Sequence, residues 1–277
     1  MMPTNNKKNI LIVRSGGMGD MLFMTPAIST IKKNFPSVRL SILIPPAFVE
    51  IFEGNKDVDA IIKNHYNMPG QMEKLVSFLR QYNFDLLINL NHRREYYSRE
   101  LPKGLNITSV WSIIDQRDHP CDYQCKNLIC QIWDARKHHV DNYLSLLRNA
   151  GLDNAEKELK FYFRPEDEKF AASLLASYGI EKDDLIVAFH PGTSTSNLSF
   201  KGIFANIHRS IAKKRLPVER GRWPTRHYFL LAELLQKRLK AKIIITGGRF
   251  EQGLGILFQL ARKTRLLICA ARRLLSC

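Results

Sequence analysis

Cysteine is scarce. Five thiols in 277 residues are too few for the disulfide framework of a small secreted domain. Cys121, Cys125 and Cys130 do cluster beside His119, with three and then four intervening residues. That spacing matches no common zinc or iron–sulfur pattern, so reduced thiols are favoured over a metal site. Long apolar runs are missing as well; the longest fall far short of the ~20 residues that a membrane span needs. The first residues, MMPTNNKKN, are polar and lead straight into a short apolar strand, which is not the pattern of a signal peptide. A cytoplasmic chain is expected, with contact to a membrane face left open. Acids are the last shortage. Lys and Arg number 42 against 26 Asp and Glu, a formal charge of +16. Such an excess says nothing about fold but points to an anionic partner: a nucleotide, a phosphorylated glycan, acidic lipid or nucleic acid.

What is present is a regular alternation of strand and helix signals. Residues 10–13 form a continuous apolar run, as in a strand buried on both faces. Met24, Ile28, Ile31 and Phe35 then recur at helical spacing, with Pro26 near the start of that helix. VRLSILI is a second strand, AFVEIF a short helix, VDAIIK a short strand, QMEKLVSFLRQY a helix and FDLLINL another buried strand. NITSVWSII is a further strand candidate, and HHVDNYLSLLRNAGL is a helix that Gly151 ends. The pattern predicts an α/β protein with a mostly parallel, doubly wound sheet. A polar stretch near residues 153–160 reads as a link. Beyond it the style repeats: a Pro165 helix opened by three acids, the strand DLIVAF, a helix over RHYFLLAELLQKRL capped by Thr225, and the strand AKIIIT. Two Rossmann-like domains facing one cleft are expected, residues 1–160 and 161–277, with ligands at the carboxyl ends of the strands.

Four turns carry candidate chemistry. RSGGMGD follows the first strand; Gly16, Gly17 and Gly19 let the backbone turn sharply and approach a ligand, and Asp20 sits where a helix begins. The turn has neither the G-x-G-x-x-G spacing of a dinucleotide site nor the Lys-Ser/Thr of a P-loop. Asp20 is either a helix cap or a general base. HPGTSTS offers Thr193, Ser194 and Thr195 to phosphate oxygens, or is a plain capped turn. In RGRWPTR, Arg220 and Arg222 suit a diphosphate, or form a solvated basic loop. Gly247 and Gly248 close a strand-end turn that serves either purpose.

Taken in order, these pieces resemble glycosyltransferase family 9, the ADP-heptose:lipopolysaccharide heptosyltransferases. The resemblance rests on ILIVRSGGMGDMLFMTPAISTIKKNFP, VDAII, FDLLINL, HHVDNYLSLLRNAGL, VAFHPGTSTS, RWP before a helix, and IIITGG, and covers nearly all of residues 10–248. The G-D-x-x-x-x-T-P-A block is its most specific part. It implies a GT-B fold and inverting transfer of a heptose from ADP-heptose to the lipopolysaccharide inner core. Neither a cofactor nor an essential metal is implied. It also implies Asp20 as general base, with Gly16, Gly17, Gly19, Thr193, Ser194, Thr195, Arg220, Arg222, Gly247 and Gly248 on the substrates. Residues 1–160 would form the acceptor side and 161–277 the nucleotide-sugar side.

The chain departs from that pattern in three places. Gly221 stands where the family usually has a lysine before W-P, so Arg220 or Arg222 would take its part. Residues 197–221 form a basic insertion, read as an ordinary surface segment or as an amphipathic helix resting on the anionic inner membrane. The end, LARKTRLLICAARRLLSC, does not run into the further strands and D-S/T-G-P-x-H motif of the family. A C-terminally truncated member with an incomplete second domain and poor ADP-sugar binding is therefore expected. Two other classes stay open: a non-catalytic remnant and a basic nucleic-acid-binding protein. Against the latter, no recognised DNA or RNA module is present, and no nucleic acid is expected as a partner.

Overall fold

A computed structural model describes residues 9–66, 70–92, 95–115, 125–153, 155–191, 223, 225–247 and 267–270. The chain divides into two compact units, Met1–Arg164 and Pro165–Cys277.

The first unit is built on six parallel strands: β1 (Asn9–Val13), β2 (Arg39–Ile44), β3 (Ala60–Lys63), β4 (Leu86–Asn89), β5 (Ser109–Ile114) and β6 (Asn127–Ile132). Their order is β3-β2-β1-β4-β5-β6, with β1 in the middle of the sheet. A strand so placed is covered on both sides, and this explains its unbroken apolar run. Side chains alternate between two cores. Ile10 and Ile12 pack with Ile42, Ile88 and Trp111 on one face. Leu11 and Val13 pack with Leu43, Leu87 and Val110 on the other.

Helices cover both faces. On the first face lie α1 (Met18–Phe23), α2 (Thr25–Asn34) and α5 (His139–Asn149), contributing Met21, Ile28, Ile31, Tyr143, Leu144 and Leu147, with Met24 between the first two. On the second lie α3 (Met72–Leu79) and α4 (Glu100–Gly104), contributing Leu75, Val76, Leu79 and Leu101. AFVEIF forms a 3₁₀ turn, Pro46–Ile51.

Pro26 splits what reads in sequence as one helix. It has no N–H to offer the carbonyl four residues back, and that Leu22 carbonyl instead accepts from the Thr25 hydroxyl at 2.8 Å. α1 ends at Phe23 and α2 starts afresh at Thr25. Gly151 ends α5 as the sequence suggests, at φ +83°. Its N–H bonds to the Arg148 carbonyl and the Leu152 N–H to that of Leu147, the paired closure of a Schellman motif. The sixth strand was not foreseen: Asn127–Ile132 pairs with β5 along its whole length.

The second unit carries α6 (Pro165–Ser177), α7 (Thr225–Leu239) and three parallel strands, β7 (Ile186–Phe189), β8 (Lys242–Gly247) and β9 (Leu267–Ala270), in the order β7-β8-β9. Ile243 and Ile245 pack with Phe189 and Ala232 beneath α7, and Ile244 with Ile180 on the opposite face. No described helix is long and apolar enough to cross a membrane.

Candidate functional site

The glycine turn after β1 places Asp20 at the carboxyl end of the central strand, as the third residue of α1. Its carboxylate is braced on both sides. Oδ2 accepts from the Gly17 N–H at 2.8 Å, and Oδ1 pairs with the Arg14 guanidinium. Both sequence readings of Asp20 are thus visible in one geometry. It caps the first turn, where a negative group suits the helix dipole, and about a quarter of the side chain (26%) still meets solvent. The same contact means that Asp20 itself occupies the anion-binding position that the turn offers.

The three glycines differ in what they do. Gly16 has φ +143°, and a Cβ there would lie 2.3 Å from Asp20 Oδ2. Gly17 supplies the N–H that holds the carboxylate. A Cβ at Gly19 would find ordinary room, 3.7 Å from the Phe23 ring.

Around Asp20 the fold gathers residues that the sequence did not single out. Arg14 follows the last residue of β1 and is 6% exposed. Its Nη1 donates to Asn91 Oδ1 at 3.2 Å, and its Cζ lies 5.8 Å from the centre of the Tyr143 ring. Asn91 lies just past β4, 3% exposed. Its Oδ1 also accepts from the Ser15 N–H and hydroxyl, at 2.9 and 2.7 Å. Its Nδ2 donates to the Val13 carbonyl and to Asn89 Oδ1, and Asn89 donates on to Ser112 within β5.

From α5, His139 brings Nδ1 to 3.8 Å from Asp20 Oδ1 and to 3.5 Å from the Tyr143 hydroxyl. Burial, and then the Arg14 charge, hold the His139 pKa below its ordinary value against the pull of Asp20. The imidazole is therefore neutral near neutral pH. Burial pushes the Tyr143 hydroxyl up to about 12, so it stays protonated. The lowered imidazole has a thermodynamic sign. The unfolded chain takes up the proton first, so nothing is lost above about pH 6.5 and stability falls as the pH drops through that value. His139→Gln is expected to lose less thermal stability than the parent between about pH 7 and about pH 5. Equal losses in the two proteins, measured by calorimetry, would remove His139 from the acid response.

A row of rings leads away from Asp20. His139 meets the Trp133 edge at 4.8 Å, and Trp133 stacks on His92 at 4.1 Å and 10°. His92 and Trp133 wall a cavity of ≈ 710 Å³ at the carboxyl ends of β5 and β6, with Asp115, Gln131, Arg136 and Lys137. The Trp133 N–H extends the β5–β6 ladder by bonding to the Ile114 carbonyl.

Among the described residues no group of three or more His, Cys, Asp or Glu is placed to hold a metal ion. Thr193, Ser194, Thr195, Arg220, Arg222, Gly248, Cys121 and the basic insertion lie outside the described residues. Gly247 is the last residue of β8, and the neighbouring Thr246 hydroxyl lies 3.1 Å from His190 Nδ1.

No family model matches the chain. Lipopolysaccharide heptosyltransferase 3 of Escherichia coli K12 is 35% identical over 177 residues, 61% of this chain and 50% of that protein. Over that stretch the chain is similar to a lipopolysaccharide heptosyltransferase. It spans half the length of that curated relative. Among solved structures, the glycosyl transferase family 9 protein of Veillonella parvula superposes with a TM-score of 0.74 at 17% identity, covering 98% of this chain and 72% of that one. E. coli ADP-heptose lps heptosyltransferase II gives 0.65 at 16%, covering 97% and 74%. The α/β architecture is accordingly of the GT-B type that the family resemblance implied. The family reading made from the glycine turn and its following helix thus agrees with both kinds of likeness.

Proposed function

We propose that this chain transfers a heptose, with inversion, from ADP-heptose to the lipopolysaccharide inner core, with Asp20 as the general base. The observation that carries the reading is Asp20 itself. Its carboxylate is fixed by Arg14 and Gly17, yet part of it remains open to solvent. In the reaction an acceptor hydroxyl oxygen attacks the anomeric carbon opposite the leaving group. The new C–O bond forms as the bond to the diphosphate breaks, its electron pair departs with ADP, and Asp20 takes the hydroxyl proton. His139 beside it is neutral and adds no second positive charge to compete for the carboxylate.

The acceptor sugar lies in the cavity at the ends of β5 and β6, where Trp133 gives an apolar wall and Arg136 and Lys137 supply positive charge. The donor diphosphate falls to the second unit, to Thr193, Ser194, Thr195, Arg220 and Arg222, with Gly247 and Gly248 close to the nucleotide. The formal charge of +16 suits both anionic substrates.

The test is direct. Purified chain is given ADP-heptose and a core acceptor that lacks its next heptose, with E. coli heptosyltransferase 3 as a positive control. Release of ADP matched mole for mole by an acceptor one heptose heavier supports the reading. Intact donor and acceptor after prolonged incubation, with the control active, overturns it.

A further inference from the structure

We propose that Arg14 and Asn91 are positioning residues that hold Asp20 in its working geometry, an inference that rests on the transferase reading. The chain of contacts runs from the sheet outward. Asn91 has no rotational choice. Its Nδ2 faces two acceptors, the Val13 carbonyl and Asn89 Oδ1, at 3.1 and 2.9 Å. Its Oδ1 faces the Ser15 N–H, the Ser15 hydroxyl and Arg14 Nη1. Flipping the amide would set donors against donors, so the partners themselves fix which atom is oxygen. Asn91 thereby ties the end of β4 to the end of β1 and presents one acceptor to the guanidinium.

Arg14 is held in turn. Its side chain is 7% exposed, and a charge so buried is tolerated when it is paired. One nitrogen takes Asn91 and another takes Asp20, while the Tyr143 ring lies beside the guanidinium carbon. Nε, also buried, has no hydrogen-bond partner, so the fork is anchored through its two terminal nitrogens. A planar fork of this kind sets direction as well as charge, which an ammonium cannot do. Asp20 receives Arg14 on Oδ1 and the Gly17 N–H on Oδ2, so the plane of the carboxylate is fixed at both edges. What remains free is the side that meets solvent, where an acceptor hydroxyl would arrive. Neither Arg14 nor Asn91 has to touch substrate for this; both act through Asp20.

Two variants and one cycle test the idea. Arg14→Lys keeps a positive charge but loses the fork. Asn91→Ser removes the amide from behind the guanidinium and leaves Arg14 in place. Each is expected to lower kcat tenfold or more, with KM for donor and acceptor changed by less than about threefold, because misplacing a reacting group costs rate rather than affinity. In the double variant Arg14→Lys/Asp20→Asn, kcat should fall no further than in Asp20→Asn alone, since residues acting as one unit are not additive. Losses that multiply, or a raised KM with kcat intact, overturn the proposal.

A readout without turnover separates it from the transferase reading. In ¹⁵N NMR of the full chain, the Arg14 guanidinium protons should exchange slowly and give resolved signals, and Asn91→Ser should make them exchange fast. Fast exchange in the parent protein refutes the clamp whatever the enzyme does. Slow exchange in a protein that transfers no sugar leaves the clamp standing and removes the transferase reading instead.

Discussion

Asp20→Asn is expected to slow heptose transfer about 10²–10⁴-fold, the range that a positioned base contributes. The substitution keeps size and shape but alters what the two edges of the group can do. Both carboxylate oxygens now accept from donors, Arg14 on one and the Gly17 N–H on the other. An amide has one acceptor oxygen, so its NH₂ must face one of those donors. Turnover loss should therefore come with a stability loss of about 1–3 kcal/mol, because the buried Arg14 loses its charged partner. Initial rates at saturating donor, together with thermal unfolding of the same preparation, measure both. A rate within twofold of the parent would strip Asp20 of the proposed role.

Gly16→Ala is the second substitution with a large expected effect. Backbone at φ +143° is one that an L side chain rarely adopts, and the new Cβ would meet Asp20 Oδ2 at 2.3 Å and Cγ at 2.7 Å. One of them must yield. If the backbone holds, Asp20 is pushed off the Gly17 N–H; if Asp20 holds, the turn distorts. Strain of about 1–3 kcal/mol is typical of such residues, and a drop in kcat of at least tenfold is expected because the base is displaced. Gly19→Ala is the matched control for the added methyl, since a Cβ there has ordinary room. Equal transfer rates for the two alanine variants would show that close approach at Gly16 is irrelevant to the chemistry.

Much of the first unit can be read from its residues because its signals are local. Residues 10–13 are apolar without a break because β1 is paired on both sides and covered on both faces. Ile28 and Ile31 share one face of α2, continued by Met24 at its N-cap, because that face packs on the sheet. The strand at Asn127–Ile132 was harder. It is the last strand of its sheet and its residues are only partly buried, so the apolar contrast that marks a central strand is weak there. Pro26, near the start of its helix in the sequence, falls in the first turn of α2, while the break before it at Met24 and the Thr25 hydroxyl that satisfies the freed carbonyl give no periodic signal.

The site divides the same way. Asp20 announces itself as an acid at the end of a glycine turn. Its supports do not: Arg14 and Asn91 are 77 positions apart, and nothing in either segment alone says that they meet. A charged residue placed directly after a buried strand was the one available hint for Arg14. The adjacent His138 and His139 gave another, since the first caps α5 through Val140 and the second points at Asp20. For Trp133 the hint was position, because it follows a strand that the sequence did not reveal.

The span of that amide clamp also has a meaning for how the chain comes to life. As the polypeptide is made, the acid leaves the ribosome long before the residue that braces its partner. The glycine turn can fold locally as soon as it emerges, but the buried cation has no anchor until the fourth strand has been synthesised and has slotted beside the first. The proposed reactivity would therefore be a property of the finished sheet, and a nascent fragment would display the acid without the means to aim it.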